Sequence, residues 1–422
     1  MMQNPIKVVH LSTLDRVGGA ARAAYRLHRA LLKEGLHSRM LVSRLSEIND
    51  ETVIPTKKSF FGKILSRFPE IDQLPLRLYQ PRPATAFSTN LFQQFKVKKQ
   101  KILAQADIIA LYWTGYSFLT PKQLTQFHKP LIWRLSDTWP LTGGCHYPGT
   151  CTRYEKDCGF CPQLGSKHKR DLSHFIWRKK KQHWEKIALT IVAPSHWIAD
   201  RARKSSLFYN KIIKIIPTGV EINIFRPHDK QTARRLLGMK ADKKYILFGA
   251  VKATSDARKG FIYLQQALQI LKTQLIAEQV EIIIFGASEP LKIPDFGFVT
   301  HYQGVLQDEV SLALLYSAAD VFIAPSLEDN LPNTILESMA CGTPVVAFQI
   351  GGIPEVVEHL RNGFLTPSGD SHHLAQGIKM ILEDNKTAAA FSLQAREKIL
   401  AGFTLDQQAK EYVDLYQKIK SS

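Results

Sequence analysis

The sequence predicts an α/β protein of two domains, each built on a parallel sheet. Short apolar runs alternate with stretches of helical periodicity in both halves of the chain, which is the pattern of successive strand–helix–strand units. The length of 422 residues suits two domains. A glycine pair, Gly18 and Gly19, sits where the first strand turns into the first helix, as in folds that bind ligands at the carboxyl ends of their strands. The alternative for that pair is a tight turn that binds nothing.

IKVVHLS (6–12) is the first strand, and Ala20, Ala24, Leu27 and Leu31 then recur at helical spacing up to a stop at Gly35. HSRMLVSRL reads as a second strand. SFFGKILSRFPEIDQLPLRLYQPRP is basic, aromatic and punctuated by proline; it reads equally as an amphipathic membrane-touching segment or as a lid loop. ADIIALYW and PLIWRLSD are strands flanking a helix-like PKQLTQF. Asp137 closes the second of these, at the sheet edge where catalytic groups of such folds lie; a turn or helix-capping acid is the alternative.

Four of the five cysteines, Cys145, Cys151, Cys158 and Cys161, follow within 17 residues as C-x5-C-x6-C-x2-C, with His146 adjacent. A reducing compartment argues against disulfides. Clustered thiols, one pair a CxxC before proline, suit a structural zinc or another thiophilic metal, although the spacing is not a standard zinc pattern. A reduced, buried cluster is the alternative. Cys341 reads as a small core residue.

Residues 167–186 interleave eight Lys/Arg with Phe175, Trp177 and Trp184, the look of an interfacial helix or of a solvated helix with its tryptophans turned inward. LTIVAPSHWIAD reads as the last strand and turn of the first half, and KIIKIIPTGVEINIFRP as a strand and an irregular connector, with the domain boundary near Pro217–Pro227. KYILFGA, VEIIIFG, DVFIAPS and TPVVAFQ are the strands of the second half, with helices at Leu264, Leu268 and Leu271, at LALLYSAAD and at GGIPEVVEHL. Lys252, Arg258, Lys259 and Gly260 lie in the turn before the first of these helices and suit a diphosphate. Thr404 and Gln407 form a capping box for the last helix, whose stripe of Ala409, Tyr412, Tyr416 and Ile419 must pack on something.

The stretch Pro325–Gly352 carries two acids, Asp329 and Glu337, eight residues apart on an entry loop and the helix that follows it. Carboxylates that grip sugar hydroxyls, beside a helix start that favours anions, suit a nucleotide-sugar. A solvated loop acid and a surface glutamate are the bland alternative.

Composition sets the frame. The chain is 45% apolar and 22% charged, hence globular, and no window approaches the apolar run of a membrane helix. The start, MMQNPIKVVHLS, has no signal-peptide core, so a cytoplasmic location is expected. Net charge is +19, of which residues 1–200 supply +17 (31 Lys/Arg against 14 Asp/Glu) and residues 201–422 supply +2 (25 against 23). The first half is therefore expected to meet something acidic: a membrane surface, a lipid phosphate or nucleic acid. No nucleic-acid motif accompanies the charge.

The segments FGAVKATSDARKGF, YSAADVFIAPSLEDNLPNTILESMACGTPVVAF and GGIPEVVEHLRNGFL resemble the family 4 retaining glycosyltransferases of GT-B architecture. The resemblance covers most of residues 211–400. HLSTLDRVGGAARAAYRLHRAL and APSHWIADRARKSSLF extend it more loosely into the first half, and WRLSDTWPLTGGCHYPG is similar to a bacterial polysaccharide-biosynthesis subgroup. The resemblance implies two Rossmann-like domains facing across a cleft. Residues 1–216 would bind acceptor and carry the Cys-rich insertion 143–166. Residues 217–400 would bind the nucleotide-sugar, and residues 401–422 would form a helix packing back on the first domain.

It also implies residue roles. Asp329 contacts the transferred sugar and Glu337 the ribose. Backbone at Leu331, Asn333 and Thr334 meets the diphosphate, with Lys259, Lys252 and Arg258 as its cations. Gly18 and Gly19 line the donor site, and Asp137 remains the candidate catalytic group of the first domain. Two departures stand out: the first acid is Asp where the family usually has Glu, and Ser136 stands where it often has His. The chain has no Asp-x-Asp motif, so no cofactor is expected in catalysis. The implied activity is sugar transfer from a nucleotide-sugar to a saccharide or lipid-linked acceptor with retention of configuration, in cell-surface polysaccharide biosynthesis and at the inner membrane face. The rivals are a GT-B sugar phosphorylase or nucleotide-sugar epimerase, and a basic, zinc-containing binding protein for membrane or nucleic acid.

Overall fold

In the computed structural model, residues 5–46, 49–80, 86–288 and 295–421 are described. They form two compact units, residues 1–217 with 408–422 and residues 218–407. The chain passes from the second unit to the first inside its terminal helix, Leu405–Ser421.

The first unit holds a seven-stranded parallel sheet: β1 (Lys7–Leu14), β2 (His37–Arg44), β3 (Val53–Pro55), β4 (Ile108–Leu111), β5 (Leu131–Arg134), β6 (Leu189–Ala193) and β7 (Ile212–Ile215), in the order β3-β2-β1-β4-β5-β6-β7. Strands β4 and β5 are buried along their whole length, as expected for a parallel sheet covered on both faces. The helix Gly19–Lys33 turns Ala24, Leu27 and Leu31 inward, and the chain leaves it through Gly35 at φ 81°, the left-handed position that ends helices.

Two readings of the sequence need correction here, and two that it leaves open are narrowed. The last strand of the first sheet is Ile212–Ile215, not LTIVA; its alternating exposed and half-buried residues mark it as an edge. PKQLTQF makes a 3-10 turn, Pro121–Gln126, with a Thr120–Gln123 capping box. In the basic helix Leu172–Trp184, Trp184 is buried in the main core and Trp177 packs against it, so the tryptophans serve packing and not an interface. Of the segment 59–83, Phe60–Arg67 is helical and Pro69–Leu78 is a 3-10 stretch; residues 81–83 lie outside the described residues.

The second unit holds a six-stranded parallel sheet: β8 (Lys244–Gly249), β9 (Val280–Phe285), β10 (Val299–Tyr302), β11 (Val321–Ala324), β12 (Val345–Phe348) and β13 (Gly363–Thr366), in the order β10-β9-β8-β11-β12-β13. The apolar run VEIIIF is buried at every position. GGIPEVVEHL makes only a 3-10 turn, Ile353–Glu355, before β13; two glycines and a proline leave too few residues for an α-helix to nucleate. In each sheet the strand order reverses once, between β1 and β4 and between β8 and β11. In such sheets the crevice at the carboxyl ends of the reversing strands is where ligands bind.

The terminal helix is started by Thr404 and Gln407, each accepting the other's backbone N–H at 3.2 Å. Ala409, Tyr412 and Tyr416 are fully buried within the first unit, and Lys420 pairs with Asp107 at 3.2 Å. The two tyrosine rings lie edge to face, 5.7 Å apart. Replacing Tyr416 with Ala should destabilise the first unit by about 3–5 kcal/mol, the usual cost of emptying a buried aromatic site; denaturant unfolding followed by tryptophan fluorescence, which reports mainly this unit, checks it.

Candidate functional site

The loops after β8 and β11 leave the second sheet side by side at its reversal. The first runs through Lys252, held at φ 58° with its amide donating to the Gly286 carbonyl at 3.1 Å. It then forms a 3-10 turn, Ala257–Lys259, capped by Asp256. Gly260 follows at φ 70°, and a Cβ there would stand 1.7 Å from the Pro325 carbonyl oxygen. Only glycine permits that backbone-on-backbone approach, which lays this loop directly on the end of β11.

The approach brings two cations to Asp329. Lys259 Nζ lies 2.6 Å and an Arg258 guanidinium nitrogen 3.3 Å from Asp329 Oδ2. Arg258 also donates to the Glu328 carbonyl at 2.8 Å and pairs with Asp256 at 3.0 Å, so its fork is fixed. The other Asp329 oxygen accepts the Asn330 amide at 3.0 Å. Gly351, at φ 58°, lies against the Asp329 carbonyl, where a Cβ would come within 1.8 Å. Asp329 is 9% exposed. Burial by itself raises its carboxyl pKa, but Lys259 and Arg258 overcome this and hold it below the usual carboxylate range.

Glu337 lies in the helix Asn333–Ala340 and is 1% exposed. One of its carboxylate oxygens accepts the Tyr316 hydroxyl at 3.1 Å. Asp329 is thus bound up with cations, and Glu337 meets the hydroxyl of Tyr316, a residue that no motif in the sequence marks. The helix begins at Pro332 in extended conformation, with neither a side-chain cap nor an acid in its first turn. Its Asn333 and Thr334 end is thus left electropositive. Leu331 is buried beside it, and Lys252 is exposed at the head of the cationic loop.

The first unit holds the remaining candidates. Gly18, at φ 91°, caps the helix after β1, again with no acid in the first turn. Asp137 is buried and both its oxygens are engaged: Oδ1 accepts the Trp139 amide at 2.9 Å, and Oδ2 meets His146 Nδ1 at 2.6 Å. His146 Nε2 in turn lies 2.8 Å from Ser88 Oγ. The sequence placed His146 beside the cysteines; in the fold it faces Asp137, while Cys145 turns toward the other cysteines. Ser88 joins this relay from 58 residues away, and no local pattern marks it.

Residues 243–384 match the family model for glycosyl transferases group 1. The chain is 30% identical over 195 residues to a D-inositol 3-phosphate glycosyltransferase of Thermobispora bispora, 43% of this chain and 45% of that one. The match spans about half the length of the first curated relatives. A longer match, 25% identical over 95% of this chain and 97% of the other, is to an Escherichia coli (strain K12) protein assigned to colanic acid biosynthesis as glycosyl transferase WcaC. Among solved structures, Anabaena HepE in complex with UDP and glucose aligns with a TM-score of 0.67 at 18% identity, over 98% of this chain and 100% of that one. The likeness, with the two parallel sheets, gives the chain a GT-B fold.

Because the folded pKa of Asp329 is depressed, its ion pair contributes stability above the unfolded pKa near 4 and loses it as pH falls through the lower folded value. Asp329→Asn should cost the full chain about 1–3 kcal/mol at neutral pH, below the fully buried limit because the pair is partly solvated. The difference from the parent should shrink toward zero below about pH 4, as read by urea unfolding across a pH series.

Proposed function

We propose that this chain is a retaining glycosyltransferase. It takes a sugar from a nucleotide-sugar donor and passes it to a saccharide or lipid-linked acceptor in cell-surface polysaccharide biosynthesis. One observation carries the reading: two cations and an acid are held together at the reversal of the second sheet, beside a helix start that carries no acid. That arrangement suits a ligand with a diphosphate at one end and a hydroxyl-bearing ring at the other. The colanic acid relative supports the polysaccharide context, and HepE, solved with UDP and glucose, supports the donor class.

The donor diphosphate would draw Lys259 and Arg258 away from Asp329, with Lys252 and the backbone at Leu331, Asn333 and Thr334 completing its contacts. The carboxylate of Asp329, released from its cations, would accept hydroxyls of the transferred sugar. Glu337, oriented by Tyr316, would take the ribose hydroxyls. In the transition state the nucleoside diphosphate gains charge as the glycosidic bond breaks, and the cations drawn to it would stabilise it by about 2–4 kcal/mol for each good donor. The acceptor hydroxyl attacks from the face the diphosphate leaves, and its proton passes to a leaving-group phosphate oxygen. This chemistry uses no metal. Gly18 and Gly19 are kept as donor-contacting residues of the first unit and Asp137 as its acid, positioned by His146.

Lys259→Ala and Glu337→Ala should each lower transfer from the preferred donor, found by a thermal-shift screen of nucleotide-sugars, about 10²–10³-fold. Unchanged rates in both variants would overturn the assignment. Release of sugar phosphate from an oligosaccharide and phosphate would replace it with a phosphorylase.

The acceptor side is proposed to meet an anionic membrane surface. Phe60 and Leu78 are 83% and 86% exposed, and Phe61 and Phe68 about half exposed, along a segment that also carries Lys57, Lys58, Lys63, Arg67 and Arg77. Exposed aromatics among cations suit shallow insertion beside acidic headgroups. Among the described residues no helix is long and apolar enough to cross a membrane. Phe60→Ser with Leu78→Ser should weaken sedimentation with phosphatidylglycerol vesicles roughly tenfold or more, since each buried apolar side chain contributes about 1.5–3 kcal/mol, without changing the fold.

A further inference from the structure

We infer that Cys145, Cys151, Cys158 and Cys161 form a four-thiolate site for a zinc-type metal ion, which pins the loop carrying His146 onto the first unit. All four line one cavity of about 20 Å³, room for a single water-sized body. None is in a disulfide. Among the described residues no three His, Cys, Asp or Glu side chains are already drawn together as metal ligands, so loading requires these side chains to turn into the cavity they share.

Three features of the surroundings favour a metal over a packed thiol cluster. The CxxC turn is strained. Cys158, Gly159 and Phe160 follow one another at φ 54°, 88° and 46°, and left-handed non-glycine residues are costly and persist only where their surroundings impose them. The backbone passes close against the cluster at Gly143. Gly143 is essential to that approach, since a Cβ there would stand 2.1 Å from the Ser173 carbonyl and 3.1 Å from Cys158 Cβ.

The third feature is Lys180, 0% exposed. Its ammonium donates to the Trp139 and Thr142 carbonyls and lies 3.5 Å from the centre of the Trp139 ring. A divalent ion with four thiolates carries a net charge of about −2, and Lys180 Nζ, held at the carbonyl of Thr142 in the cavity wall, is placed to offset part of it. The loop also needs a brace: residues 143–166 hold only short 3-10 turns, and the separate apolar cluster around Cys161 is small, with Leu76, Phe87, Leu164 and Ile176. A metal cross-link supplies what so small a core cannot.

The test is metal analysis of the purified, tag-free full chain from zinc-supplemented cells. About one zinc per chain is expected. The count should fall to traces in the double variant Cys158→Ser, Cys161→Ser and stay unchanged in Cys341→Ser. Should the double variant fail to fold, cobalt exchanged into the parent chain decides, through sulfur-to-cobalt charge-transfer absorption and tetrahedral visible bands. A parent chain that holds no metal even after zinc is added to the reduced protein, with all four thiols reacting with a thiol reagent, would overturn the inference. So would bound cobalt without charge-transfer bands.

Discussion

Asp329 stays ionised in a position only 9% exposed because Lys259 and Arg258 lie against it. That contact fastens the loop after β8 to the loop after β11, and the rest of the candidate site follows from it. A buried carboxylate without partners would be costly, as would two neighbouring cations without a counter-charge. Here each satisfies the other. On the proposed reading a diphosphate would be a stronger partner for the cations than one carboxylate, and the ion pair would hold the geometry for it.

The backbone makes this pairing possible. Gly260 and Gly351 both adopt positive φ, and both lie where a Cβ would strike a carbonyl oxygen, of Pro325 and of Asp329 respectively. The acid loop is thus clasped from two sides by glycines. Glu337 is held differently, inside a short helix and against Tyr316. The two acids of the motif therefore have unlike surroundings, one ion-paired and one hydrogen-bonded, which fits unlike tasks.

The first unit shows a second buried polar relay, from Trp139 N–H through Asp137 and His146 to Ser88. Consecutive residues divide the work of its loop: Cys145 faces the thiol cavity while His146 faces Asp137. Whatever fixes the cysteines therefore also fixes the imidazole. Lys180 joins the two features from the helix Leu172–Trp184 through the carbonyls of Trp139 and Thr142. A run of basic residues reads as a solvated face, but the fold turns Lys180 inward.

Periodicity and punctuation determined much of this protein. VEIIIF, DVFIA and TPVVAF are apolar runs too short for helices; Gly35 ends a helix in a conformation that glycine adopts freely; Thr404 and Gln407 start one by reciprocal hydrogen bonds. These are local interactions, so a sequence reveals them. The positions of Asp329 and Glu337 in a candidate site were legible because their motif is contiguous, and that of Lys259 because it stands in a short basic turn before a helix. Tertiary structure decided the rest: that β7 belongs to the first sheet, that the terminal helix splits between units, that Trp184 and Lys180 point inward, and that Asp137 is paired with His146. It also decided that Asp329 meets Lys259, 70 residues away. Each depends on which strand lies beside which, and strand order is set by burial over the whole sheet, which no local window of residues contains.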